Sequence, residues 1–343
     1  MRFWRPIIGV VIFMMKKWFK ELIGPGIKTP MPILSFPATT LLGVTVKKLI
    51  ADSALQAEGM KKIAERNKSL ASVSLMDLSL EAEAFGAEII TSDGEVPTVS
   101  GVLIKSMEEA ESLKVPNVGA GRTAIYIEAA RQAKSLIKDR PVFAGIIGPF
   151  SLSGRLIDMT EIMVNCYEEP EMVHLCLNKV TEFLIKYGLE YKKTGADGIV
   201  IAEPAAGLLS PGLFDEFSFN YVKRIVDEIQ SDDFAVIYHN CGNTIPHVES
   251  IKSLGAYGYH FGNFIDLEKM LSIFPQDMVV MGNIDPVGQF RNGTPESIAA
   301  AVQEKLEACG KYPNYILSSG CDMPPLSPWA NIDAFFRAAE KYQ

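Results

Sequence analysis

Apolar residues follow two alternating patterns from about residue 70 to the end of the chain. Short runs rich in β-branched and other apolar residues alternate with longer segments whose apolar residues recur at helical spacing. A strand of a parallel sheet is apolar along its whole length, because helices cover both faces of the sheet. The runs of this kind are residues 71–76, 142–147, 198–202, 234–238, 258–261, 278–281 and 315–317, with 88–91 as a weaker candidate.

The segments between these runs predict helices at 53–67, 171–192, 211–229 and 294–309. Alternation of this kind is typical of βα units, and a chain of 343 residues is long enough for a (β/α)₈ barrel. No Pro- or Ser-rich linker divides the chain. We therefore predict a single α/β domain, a (β/α)₈ TIM barrel over residues 25–343.

Residues 1–24 differ from the rest in composition. Two arginines precede an apolar run at 7–15, two lysines follow it, and an amphipathic stretch covers 18–23. The run is too short to span a bilayer, and no small-residue cleavage site follows it. We interpret this segment as an N-terminal extension with an amphipathic helix, and a true start at Met14 or Met15 is the alternative.

Net charge and cysteine content limit the classes of protein to which this chain can belong. A net charge of −8 argues against a nucleic-acid-binding protein, which needs a basic surface to neutralise phosphates. Five cysteines in a chain this long do not form a disulfide framework, and an odd number suits a reducing compartment. We expect a cytoplasmic protein, a monomer or homodimer, with no membrane partner.

Polar residues follow most of the predicted strands directly. In a barrel the carboxyl ends of the strands converge on one face, where the active sites of such enzymes lie. The sequence therefore predicts a site built from residues at these ends, among them Asp77, Glu203, His239, Cys241, Asn263, Asn283 and Cys321.

Three of these residues form a candidate metal site. His239 and Cys241 are separated by one residue, so the alternation of a strand points both side chains to the same side. Cys321 follows the last strand, which barrel closure can bring near. One imidazole and two thiolates leave a tetrahedral zinc with an open position, which suits activation of a thiol substrate. Water activation and plain core packing of these residues are the alternatives; His260, inside a strand run, has no ligand spacing to the three.

Several short motifs, spread over nearly the whole chain from about residue 30, resemble the uroporphyrinogen decarboxylase superfamily, which includes corrinoid-dependent methyltransferases. They are Phe36-Pro37-Ala38-Thr39, Met76-Asp77-Leu78 with 81–86, Gly148-Pro149-Phe150 with Gly154-Arg155, 206–211 and 282–286. The decarboxylase branch carries an Arg-rich segment near its N-terminus, whereas no arginine occurs here between Arg5 and Arg66. The methyltransferase branch carries a His-x-Cys and a later Cys for zinc, and these match His239, Cys241 and Cys321.

This resemblance implies transfer of a methyl group from methylcobalamin, carried on a corrinoid protein, to a zinc-activated thiol such as coenzyme M. A metal-free uroporphyrinogen decarboxylase and a non-catalytic corrinoid- or porphyrin-binding protein remain alternatives.

Five further residues receive candidate roles. Glu203 is predicted as a transient zinc ligand or proton acceptor, with capping or ion pairing as the alternative. The resemblance places Asp77 facing the cavity, although a strand-end Asp can also cap a helix. Arg155 can pair with an acidic tail of the thiol or with a corrinoid substituent, or form a surface ion pair. Asn263 and Asn283 are expected to donate hydrogen bonds to substrate.

Overall fold

The computed structural model describes residues 5–7 and 10–342. Its main sheet has seven parallel strands, paired in chain order. We number them β1 (Ser72–Val73), β2 (Val142–Ile147), β3 (Gly198–Ala202), β4 (Ala235–Asn240), β5 (Gly258–Phe261), β6 (Val279–Ile284) and β7 (Tyr315–Ser319). All of them are buried, as expected for runs that are apolar throughout. The sheet curls into a (β/α)₈-type barrel, which confirms the predicted fold class.

An extended segment that does not form a regular strand ladder lies between the two edges of this sheet. The Met31 N–H donates to the Leu317 carbonyl in β7 at 2.9 Å, and the Leu70 N–H donates to the Pro30 carbonyl at 3.0 Å, just before β1. Prolines at 30 and 32 remove the N–H groups that a continuous ladder needs. This segment therefore occupies the place of an eighth strand.

Helices surround the barrel and pack on the outward side chains of its strands. The α-helices are Met15–Glu21, Ala38–Leu42, Val46–Ile50, Ser53–Arg66, Leu80–Ala84, Met107–Ser112, Thr123–Leu136, Pro149–Ile157, Met159–Glu168, Pro170–Lys193, Pro211–Phe214, Asn220–Ile229, Val248–Lys252, Leu267–Ile273, Pro295–Cys309 and Trp329–Glu340. Two 3₁₀ turns (Pro204–Leu208, Ile245–His247) and two π turns (Asp215–Phe219, Pro286–Arg291) complete the connections. In the described chain, no helix is both long enough and apolar enough to span a bilayer.

The helix Met15–Glu21 closes the amino end of the barrel. Its Met15 and Phe19 side chains are buried together with inward-facing side chains of the barrel strands. Gly258 at the start of β5 makes room for it, since a Cβ there would lie 2.7 Å from Phe19 Cε1. Before this helix, the backbone of Arg5–Ile7 pairs antiparallel with Val10–Ile12.

Two predicted elements are corrected. The run at 88–91 was expected to be a buried strand, but Glu88–Ile90 pairs antiparallel with Thr98–Ser100 in a separate hairpin with exposed residues. A short β-prone run is compatible with both settings, so its local pattern could not decide. The predicted helix 211–229 is interrupted by the π turn Asp215–Phe219.

Candidate metal centre

A cavity of about 390 Å³ opens at the carboxyl ends of the barrel strands. Most of its lining is apolar, including Phe36, Met76 and Val96. Its polar lining residues are His239, Cys241, Cys321, Arg155, Asp322, Glu95, Thr98 and Arg291. A mostly apolar cavity with a few polar groups is typical of a small-molecule site.

The three predicted ligands lie together in the wall of this cavity. One ligand atom from each of His239, Cys241 and Cys321 lies within 4.8 Å of the others. His239 is in β4, Cys241 follows β4 directly, and Cys321 follows β7. Gly262 allows the close approach of Cys241, because a Cβ at that position would lie 2.6 Å from Cys241 Cβ.

The three side chains fit a zinc ion by their chemistry. His239 is fully buried and its Nε2 atom has no hydrogen-bond partner in the described structure. Hydrogen bonding from Cys321 holds the pKa of Cys241 well below its usual value, and the same bond raises the pKa of Cys321. In the described part of the chain the cluster contains no fourth His, Cys or carboxylate. A Cys₂His set of this kind leaves one coordination position for substrate.

Glu203 is fully buried but does not line the cavity. Its carboxylate accepts the backbone N–H groups of Phe150 at 2.7 Å and Ser151 at 3.1 Å, and the Ser218 hydroxyl at 3.2 Å. These two N–H groups belong to the first turn of the helix Pro149–Ile157, where a carboxylate is stabilised. Burial raises the pKa of Glu203 to about 7. The contacts match the capping interpretation rather than that of a zinc ligand.

Asp77 is also hydrogen-bonded to neighbouring side chains and does not line the cavity, although the adjacent Met76 and Leu78 do. Its carboxylate accepts hydrogen bonds from the Arg122 guanidinium at 2.5 Å, the Tyr126 hydroxyl at 2.8 Å and the Ser79 hydroxyl at 2.6 Å. The charge of Asp77 is thereby compensated outside the cavity. The structure places it behind the cavity wall rather than on its surface.

The two predicted asparagines are not among the residues that line the cavity. The Asn283 amide donates to the carbonyls of Gly262 at 2.9 Å and Ile265 at 3.1 Å, so it fixes the loop after β5. Asn263 is exposed in that loop. Asn263 packs against Gly320, the residue before Cys321, and a contact of either asparagine with substrate stays a prediction.

Arg155 does line the cavity, as a partly buried side chain of the helix Pro149–Ile157. Burial lowers its pKa, while the charges of Glu81 and Asp77 act in the opposite direction. Among the described residues no hydrogen bond to its guanidinium is found. Its donors are therefore free for an anionic group in the cavity.

Two features of the cavity were missed from the sequence. Asp322 accepts the Ser35 hydroxyl at 2.6 Å through Oδ2, while its buried Oδ1 has no partner in the described residues, and burial raises its pKa to about 7. Its position directly after Cys321 was the available signal. At the mouth, Arg291 bonds Glu95 at 2.7 and 3.2 Å. This pair joins segments too distant in sequence to be anticipated.

The uroporphyrinogen decarboxylase (URO-D) family model matches residues 33–342. The chain belongs to this family. A methylcobamide:CoM methyltransferase, MtbA, of Methanosarcina acetivorans is 28% identical over 91% of this chain and 94% of its own length. A uroporphyrinogen decarboxylase of Pseudoalteromonas atlantica is 24% identical over 79% of each chain. The solved structure of a methyltransferase from Methanosarcina mazei covers 96% of this chain and 98% of its own, with a TM-score of 0.83 and 22% identity. The family predicted from the motifs is confirmed, as is the fold.

Proposed function

We propose that this chain is a corrinoid-dependent methyltransferase, which transfers the methyl group of methylcobalamin, presented by a corrinoid protein, to a thiol such as coenzyme M. The observation that carries the proposal is the cluster of His239, Cys241 and Cys321 in the wall of an apolar cavity. The extent of the match to the MtbA proteins supports the same reaction class.

His239, Cys241 and Cys321 would hold zinc. Zinc supplies Lewis acidity, which lowers the pKa of a thiol at its open position. The two cysteines donate electron density, so this donor set favours thiolate activation over water activation. The apolar lining would limit the access of water to a reacting thiolate, and the transfer requires the donor methyl in line with sulfur.

The transfer needs no oxidant or reductant. The new bond joins sulfur to the methyl carbon, the cobalt–carbon bond breaks, and its electron pair stays on cobalt. The thiol proton leaves to solvent. Arg155 provides a cation in the cavity that would orient an anionic tail of the thiol, such as a sulfonate.

The rim of the cavity suits a large partner that carries the methyl donor. Large apolar side chains are exposed on the connections after β3, β5, β6 and β7, namely Leu208, Phe264, Val287 and Leu326. Exposed apolar groups around a binding cleft are typical of interaction surfaces. They support docking of a corrinoid protein at this face.

The decarboxylase alternative has weaker support. A tetrapyrrole with many carboxylates requires several cationic partners. Of the two arginines in the described lining, Arg291 is already paired with Glu95, and Asp322 adds a second acid. The decarboxylase relatives nevertheless justify a direct test.

The test is anaerobic incubation of the purified protein with methylcobalamin and a panel of thiols, followed by the cobalamin absorbance spectrum. We expect near-stoichiometric zinc and thiol-dependent loss of methylcobalamin. Cys241→Ser should lose both, whereas Cys166→Ser, a buried cysteine on a helix outside the cluster, should keep both. Release of carbon dioxide from uroporphyrinogen, with no demethylation by any thiol, would establish the decarboxylase instead.

A further inference from the structure

A hydrogen-bonded series of buried polar groups begins at His239 Nδ1, the ring nitrogen opposite Nε2, which has no partner among the described residues. His239 in β4 is the register partner of His260 in β5, and their Nδ1 atoms are 2.8 Å apart. His260 Nε2 lies 2.8 Å from the hydroxyl of Ser318 in β7. The Ser318 hydroxyl lies 2.8 Å from the Met31 carbonyl, in the segment that takes the place of the eighth strand. All three polar side chains are at most 2% exposed.

The Met31 end of this hydrogen-bonded series determines the direction of every hydrogen bond in it. The Met31 carbonyl can only accept, so the Ser318 hydroxyl donates to it. The Ser318 oxygen is then the acceptor for His260 Nε2–H. A neutral His260 with its proton on Nε2 offers a lone pair at Nδ1, which accepts from His239 Nδ1–H.

One further contact agrees with this assignment. The His260 backbone carbonyl lies 3.2 Å from His239 Nδ1 and also requires a proton there. In a neutral His239 ring the lone pair then lies on the remaining nitrogen, Nε2, for which the described residues provide no hydrogen-bond partner.

We propose that His260 and Ser318 are positioning residues for the metal centre, which lock His239 in the Nδ1–H tautomer and hold its Nε2 lone pair toward the two cysteines. This inference rests on the proposed metal site. Partners of this kind fix the orientation and tautomer of a ligating histidine, and their loss weakens metal binding by about 10- to 100-fold. Ser318 acts at a distance: without its hydroxyl, the proton of His260 is free to move to Nδ1 and oppose the Nδ1–H of His239.

The first measurement is the tautomer itself, by long-range ¹H–¹⁵N NMR of the imidazole rings in the metal-free protein. The chain has four histidines, so single substitutions assign the signals. We expect His239 to carry its proton on Nδ1 and His260 on Nε2. A proton on Nε2 of His239 in the wild-type protein would overturn the proposal.

The second measurement is the Zn²⁺ dissociation constant, by competition with a chromophoric chelator. Ser318→Ala should weaken binding about 10-fold, and His260→Phe up to about 100-fold. His260→Asn places an amide oxygen near the Nδ1 position and should recover much of the affinity. The matched control is Ser319→Ala, because the hydrogen bonds of this neighbouring buried hydroxyl in the described structure are with the Ile33 backbone and with neither histidine.

Equal affinity in Ser318→Ala and wild type, or equal weakening by Ser319→Ala, would refute the positioning role and leave the methyltransferase proposal standing. Wild-type protein that binds no Zn²⁺ would overturn both proposals together. The absorption bands of Co²⁺-loaded protein provide a separate readout, since a reoriented imidazole shifts them even where the protein folds normally.

Discussion

Arg155 should determine which thiols the protein accepts. It is the lining cation for which no hydrogen bond is found in the described structure. A hydrogen bond between charged groups contributes about 1.5–3 kcal/mol, which corresponds to about 10- to 150-fold in binding. Arg155→Leu should therefore raise KM for 2-mercaptoethanesulfonate by about 10- to 150-fold and change KM for uncharged 2-mercaptoethanol little.

The assay is the initial rate of methylcobalamin demethylation at varied concentrations of each thiol. Arg155→Lys is the control that keeps the charge and loses the planar pair of donors, so it should fall between wild type and Arg155→Leu. Zinc content should remain unchanged in both variants. An equal loss with the charged and the uncharged thiol would show that Arg155 supports the cavity wall and does not recognise an anionic tail.

Three further predictions concern the barrel itself. Gly258→Ala should destabilise the fold by about 1–3 kcal/mol in urea unfolding, and Phe19→Leu should partly restore it, because the added Cβ meets the Phe19 ring. Lys134 and Asp197 form a pair that is 2% exposed on both sides, so Lys134→Met should cost about 3–5 kcal/mol by the same measurement. Burial raises the pKa of Glu81 from 4.5 to about 8, so the folded state holds a proton that the unfolded state releases. Stability should fall as pH rises from 4.5 to 8, and Glu81→Gln should show a shallower slope.

The sequence predicted the barrel strands because each is buried on both sides and therefore apolar throughout. It did not predict the closing segment, since Pro30 and Pro32 remove the signs of a strand while leaving an extended chain. The hairpin at 88–100 was misplaced for the opposite reason. Its residues favour extended structure, but only tertiary contacts determine whether a strand enters the barrel or lies beside it.

In the candidate site, too, local spacing predicted some features, whereas others depend on tertiary contacts. The spacing of His239 and Cys241 predicted that their side chains lie together, whereas the position of Cys321 beside them depends on closure of the barrel. Glu203 and Asp77 also stand at strand ends, yet their carboxylates are held by a helix N-terminus and by Arg122. Those partners come from distant segments, so a strand-end acid alone does not reveal whether it faces the cavity.

His260 and Ser318 were missed because a polar residue inside an apolar run has the same local pattern whether or not it contacts a functional group. The burial that hides them in the sequence is also what gives them a defined role. A polar group inside a dry barrel is costly unless it is paired, so a buried histidine ligand requires a partner for its second nitrogen. If that partner is itself buried, it requires another, and the chain must end at a group with fixed polarity. Here it ends at the Met31 carbonyl, and the proton positions follow from that single acceptor.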